Sequence, residues 1–116
     1  MQKKLTIILG SAPYQTERAY TTLRFVRTAL IEGLEVNLFL TEDGVYLAKK
    51  GQDPTDFANA KEWLENSISE GAKVRACSIC CKERGIVKEE LVDGVELTSM
   101  HELVAWVKES DETIFF

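Results

Sequence analysis

Positive charge is in deficit in this chain: fourteen Lys and Arg stand against nineteen Asp and Glu, a formal net charge of −5. A protein that grips nucleic acid through its phosphates needs a basic face, so no nucleic-acid partner is expected. Long apolar runs are also missing, and none approaches the length needed to cross a bilayer, so no membrane partner is expected either. Leu5–Leu9 behind Met1-Gln2-Lys3-Lys4 faintly imitates a signal peptide. Its apolar part is too short, Thr6 interrupts it, and a clear cleavage site is absent. We read it as the charged start of a first strand and expect the protein to stay in the cytoplasm. Glycine-rich phosphate cradles of the G-x-G-x-x-G or G-K-[ST] kind are lacking, and Ser11–Thr16 holds no glycine for a flavin phosphate loop. No cofactor is therefore expected. Histidine occurs once, at His101, with no second metal-type ligand at a recognisable spacing. No repeat, linker or low-complexity tract divides the chain, which is read as a single domain over residues 1–116.

What is present is ordinary for a globular domain: 45% apolar and 28% charged residues in 116. A chain of that length buries roughly two-thirds of its unfolded surface. Leu5–Leu9 is a near-continuous apolar run of the kind that a parallel strand covered on both faces shows. Ala19, Leu23, Val26 and Leu30 recur at helical spacing between about Thr16 and Glu32, and Gly33 suits the position just past the helix end. Glu35–Leu40 reads as a second strand, with Val36, Leu38 and Leu40 on one face and Phe39 on the other. The turn-rich Thr41–Gly44 follows, and then a short helix over Val45–Ala48. Glu42 and Asp43 can be read as acids or bases of a site, or as a solvated turn. Asp53 with Pro54 behind it predicts a helix start, and Phe57, Ala60, Leu64 and Ile68 its apolar stripe, closed by Gly71. Trp63 is expected to pack beside that stripe.

Val95–Leu97 reads as a brief strand. Ser99 and Glu102 have capping-box spacing for a last helix, whose buried stripe would be Met100, Leu103, Val104 and Val107. Thr113–Phe116 is a final strand, either central in the sheet or covered by another subunit. Strands alternating with helices in this order predict an α/β fold, a three-layer α/β/α sandwich on a mainly parallel sheet.

All three cysteines fall within Lys73–Gly85, at Cys77, Cys80 and Cys81. Val74 opens a β-like run ending at Cys77, and Ser78 is expected to cap a following helix through its hydroxyl. Cys77 would then stand at a strand-to-helix junction, where free N–H groups and the helix dipole favour a thiolate. Arg75, Lys82 and Arg84 add positive charge nearby. On this reading Cys77 is the reactive thiol and Cys80 the next candidate, while Cys81 also suits a core position. Buried cysteine behaves as a small hydrophobe, so a purely structural cluster stands as the alternative. Metal binding lacks a convincing fourth ligand, and no metal is expected.

The opening Leu5–Gly10 strand, the Asp43-Gly44-Val45-Tyr46 loop, and Cys77 followed by Arg84-Gly85 resemble the DsrE/DsrF-like family. That family includes the TusD-type sulfur-relay subunits and a single-chain branch labelled peroxiredoxin-like, to which this chain looks closer. The likeness runs over nearly the whole chain. It departs at Cys80 and Cys81, where the TusD-type pattern has small apolar residues. The resemblance implies a five-stranded parallel sheet and a homotrimer or homohexamer. It also implies a persulfide on Cys77 that is taken from, and passed to, partner proteins or small thiols.

Three functions follow. A sulfur carrier would use Cys77, with Cys80 or Cys81 able to resolve the persulfide as a disulfide, releasing sulfide. A thiol-disulfide protein would pair Cys77 with Cys80 or Cys81, since Cys77–Cys80 has C-x-x-C spacing at a helix start. The surroundings of a thioredoxin site and the groups of a peroxidase site cannot be placed. A non-catalytic oligomeric binding module would use the cysteines only as packing.

Overall fold

The computed structural model describes residues 2–116; Met1, part of the charged start, lies outside the described residues. The strands are β1 Lys4–Leu9, β2 Glu35–Leu40, β3 Lys73–Cys77, β4 Val95–Thr98 and β5 Glu112–Phe115. The helices are α1 Arg18–Ile31, α2 Ala60–Ser69, α3 Ser78–Glu83 and α4 Met100–Glu109, with 3₁₀ turns at Glu42–Ala48 and Lys88–Glu90. The strands form one sheet in the order β4-β3-β2-β1-β5, and every pairing in it is parallel.

That order divides the helices between two faces. From β1 to β4 the chain steps steadily across the sheet, and from β4 it returns past β1 to reach β5. Right-handed crossovers then place α1 and α2 on one face and α4 on the other. The contacts agree. Tyr20 of α1 meets Trp63 of α2 with ring centroids 5.1 Å apart, while Thr6 of β1 donates from Oγ1 to the Trp106 carbonyl of α4. Ile7, Leu9, Leu38 and Leu40 are fully buried, as is Phe39 behind the opposite face. Full burial of such a side chain contributes about 1.5–3 kcal/mol. The expected α/β/α sandwich on a parallel sheet is the fold observed.

Several local expectations are corrected. The second helix starts at Ala60, capped by the Asn59 side chain, which accepts from the Glu62 N–H at 3.2 Å. Asp53-Pro54 lies in the preceding loop, and Phe57 is exposed ahead of the helix. Ser99 does head α4 but makes no side-chain cap bond among the described residues. The buried line of α4 is Leu103 and Trp106, whereas Met100, Val104 and Val107 face outward. The cause is that α4 stands on its own face of the sheet, so only the line touching the strands is covered. β5 is an edge strand rather than a central one, and Phe115 is 65% exposed.

Candidate functional site

The carboxyl ends of β2, β3 and β4 meet at one edge of the sheet, where ligands of open α/β folds commonly sit. Cys77 is the last residue of β3 and lies in register with Thr98, the last residue of β4. Its backbone is extended, with φ −63° and ψ 119°, and it is Cys77 rather than Ser78 that caps α3. The Cys77 Sγ accepts from the Cys80 N–H at 3.4 Å. Ser78 is already in the first turn and its side chain points to solvent.

Cys80 is held from the neighbouring strand end. The Glu42 N–H donates to the Cys80 Sγ at 3.1 Å, and the Thr41 hydroxyl lies 3.6 Å from the same sulfur. Glu42 reaches this position with φ +50°, the left-handed region that a side chain rarely adopts. Gly44, two residues on, is pressed against β1 so closely that a Cβ there would overlap the Leu9 carbonyl. The turn is thereby fixed to the sheet while its amide faces the thiol.

Arg84 closes the other side. Its Nη1 donates to the Cys80 carbonyl at 3.1 Å and its Nε to Asp43 Oδ1 at 2.9 Å. The turn acid Asp43, readable as solvated, is therefore tied to the end of α3, although more than half its side chain remains exposed. Of the other nearby cations, Arg75 stacks over the Trp106 ring at 4.4 Å, and Lys82 is exposed on α3.

These neighbours distribute charge unevenly between the thiols. Burial would raise Cys80, but interaction with the Cys77 thiol, the Glu42 amide, the Thr41 hydroxyl and the Arg84 charge outweigh it, and Cys80 is lowered. Cys77 moves the other way. Burial raises it, the interaction of its S–H with Cys80 and the charge there add, and the Cys80 and Ile79 amides only partly offset them. Of the two thiols at the junction, Cys80 is the one made readier to ionise and Cys77 the one made less ready. Burial pushes Cys81 up to about 11, with the Cys77 and Cys80 charges adding and Arg84 opposing. Cys77 and Cys80 keep 7% and 8% of their surface exposed and Cys81 only 1%. All three are free thiols.

A cleft of about 530 Å³ opens beside Asp43, lined among others by Tyr14, Tyr46, Lys49 and Gln52. His101 is exposed in the first turn of α4. Among the described residues no group of three or more His, Cys, Asp or Glu could hold a metal ion. No helix among them is long and apolar enough to cross a membrane. The Glu42 amide was beyond sequence reasoning, since nothing in a glutamate marks a positive φ. Thr41 and Asp43 carry a signal only once their strand end is set beside that of β3.

The fold is a parallel α/β sheet that carries two neighbouring thiols where a strand turns into a helix, held by backbone amides and a cation. Residues 3–116 match the model of the DsrE/DsrF-like family, and the chain belongs to that family. It is 56% identical over 112 residues to the uncharacterized protein MK0008 of Methanopyrus kandleri, covering 97% of this chain and 93% of that one. It is 33% identical over 117 residues to protein YchN of Escherichia coli, covering 98% and 99%. The crystal structure of YchN superposes with a TM-score of 0.90 over the full length of both chains. A more distant relative is the sulfurtransferase TusD of Salmonella enteritidis, 26% identical over 99 residues, covering 83% of this chain and 77% of that one.

Proposed function

We propose that this chain carries sulfane sulfur as a persulfide on Cys77, with Cys80 as the thiol that shares its proton. The observation carrying the proposal is the pair of thiols at the junction of β3 and α3. Cys80 is favoured as the anion by the Glu42 amide, Thr41 and Arg84, and beside it Cys77 Sγ accepts from the Cys80 N–H. Neighbouring thiols influence each other's titration, so ionisation of Cys77 is governed by the state of Cys80. Cys80 Sγ faces two groups of the turn, whereas among the described residues Cys77 Sγ takes its hydrogen bond from the Cys80 N–H.

The Cys77 thiolate attacks the outer sulfur of a donor persulfide R–S–SH. A new S–S bond forms on Cys77, the donor S–S bond breaks, and the donor departs as R–S⁻. An acceptor thiolate then attacks the outer sulfur and regenerates the Cys77 thiolate. Both steps depend on thiolate fraction and access. Membership of the DsrE/DsrF-like family and the likeness to a protein named as a sulfurtransferase support this reading. Donor and acceptor would be proteins or small thiols in the cytoplasm, where thiols stay reduced. The trimer or hexamer that the family resemblance implies would cover the apolar row Met100, Val104 and Val107 on α4.

Intact mass after incubation with glutathione persulfide tests the assignment, with Cys80→Ser used to isolate carriage. This variant keeps the burial that chiefly raises Cys77 and the backbone amides, and removes the part that the Cys80 thiol adds. It should gain one sulfur atom and lose it to added acceptor thiol, while Cys77→Ser gains none. Equal loading of the Cys77→Ser variant overturns the assignment to Cys77. Absence of any mass change in either variant leaves the structural role of the cysteines.

A further inference from the structure

We infer that, when no acceptor arrives, Cys80 discharges the sulfur held on Cys77 as hydrogen sulfide and leaves a Cys77–Cys80 disulfide. This rests on the carrier reading and deepens it, making release a built-in competitor of transfer.

The arrangement of α3 carries the inference. Cys77 is the capping residue and Cys80 lies three residues on, in the first turn, so both side chains stand at the same end of one short helix. The Cys77 sulfur already lies 3.4 Å from the Cys80 backbone nitrogen. The Cys80 sulfur faces the Glu42 amide at 3.1 Å and the Thr41 hydroxyl at 3.6 Å, and Arg84 holds the Cys80 carbonyl nearby. A persulfide placed on Cys77 therefore shares one end of the helix with a thiol whose surroundings favour ionisation. Cys81 is excluded from this step. It points into the core at 1% exposure, and burial keeps it protonated.

The step balances without an outside oxidant. The Cys80 thiolate attacks the inner sulfur of Cys77–S–SH, the Cys77–Cys80 bond forms, and the bond to the outer sulfur breaks. The leaving group is HS⁻. Counting the carried sulfur as sulfane, it gains two electrons, one from each cysteine sulfur. Hydrosulfide is a weaker base than an alkyl thiolate, and weaker bases leave faster in exchange at sulfur. Attack on the outer sulfur merely moves the persulfide to Cys80 and is reversible. Returning the disulfide to the working dithiol takes two electrons from small thiols or a dithiol reductant.

The test loads wild type, Cys80→Ser, Cys80→Ala and Cys81→Ala with glutathione persulfide, removes excess donor, and follows each without acceptor. Sulfide is trapped and quantified, and intact mass is read in parallel. Wild type and Cys81→Ala should release one sulfide per loaded chain and end two hydrogens lighter than the reduced protein. Peptide mapping should join Cys77 to Cys80. The Cys80→Ser and Cys80→Ala variants should keep their sulfur at least tenfold longer, and use of both guards against one of them misfolding. If the Cys80 variants load and wild type holds its sulfur equally long, discharge is refuted and carriage stands. If neither Cys80 variant loads while its circular dichroism matches wild type, the carrier reading itself fails. A disulfide mapped to Cys81 overturns the choice of Cys80.

Discussion

Arg84 reaches back across the sheet edge to Asp43, Nε to Oδ1 at 2.9 Å, and joins the end of α3 to the turn that presents the Glu42 amide. The same guanidinium holds the Cys80 carbonyl and lowers the Cys80 thiol. Arg84→Gln should therefore shift the pH profile of Cys80 alkylation by iodoacetamide to higher pH. Arg84→Lys, which keeps the charge without the planar fork, should fall between the two. Asp43 is more than half exposed, and ion pairs open to solvent add little stability, so the melting temperature should barely change. An unchanged profile in Arg84→Gln would show that the arginine only packs.

Stability should fall on the alkaline side. Burial holds Cys81 near 11 in the folded chain against an ordinary 9.0. A thiol raised on folding contributes fully below pH 9, and its contribution is lost as pH rises from 9 towards 11. The loss is on the order of 2 kcal/mol. Cys77, also raised, acts with the same sign. Cys80, lowered, acts with the opposite one: its contribution is present above pH 9 and fades as pH falls through its folded value. Urea unfolding of wild type and Cys81→Ala from pH 7 to 10.5 should show the wild-type advantage shrinking with pH. A constant difference between the two would contradict a protonated Cys81.

Thr98, in register with Cys77, buries a hydroxyl that has no hydrogen-bond partner among the described residues. A buried polar group left unpaired costs about 1–3 kcal/mol. Thr98→Val keeps the branched shape and removes the hydroxyl. It should raise the urea midpoint, with a gain of about 1 kcal/mol. A lower midpoint would mean that the hydroxyl finds a partner in solution.

The outward row on α4 predicts an assembly. Met100 and Val104 are 57% and 50% exposed, and Val107 lies on the same side of the helix. Light scattering should give three or six times the chain mass for wild type, and Val104→Glu should lower it. Monomeric wild type would remove the need for any cover on this helix.

The alternation of strands and helices is legible in the sequence because each apolar period is intact from Leu5 to Leu64. The site is legible to the extent that cysteines cluster at the end of an apolar strand. What escapes has physical causes. The cap of α3 was assigned to Ser78 because hydroxyls are the usual acceptors, whereas the Cys77 sulfur takes that place. The α4 stripe was placed a fraction of a turn away because the Arg75–Trp106 stack, which draws that helix onto the sheet, links residues distant in the chain. The donors that face Cys80 are hidden from the sequence because they come from the end of another strand.

The donor that Glu42 offers to Cys80 belongs to the main chain, and the glutamate side chain itself faces solvent. Replacing residue 42 by alanine, or by almost anything else, leaves that N–H in place. A survey of single substitutions scored by activity would pass over one of the main donors to the Cys80 sulfur. Exposing its contribution takes an edit to the backbone itself, such as an amide-to-ester exchange between Thr41 and Glu42.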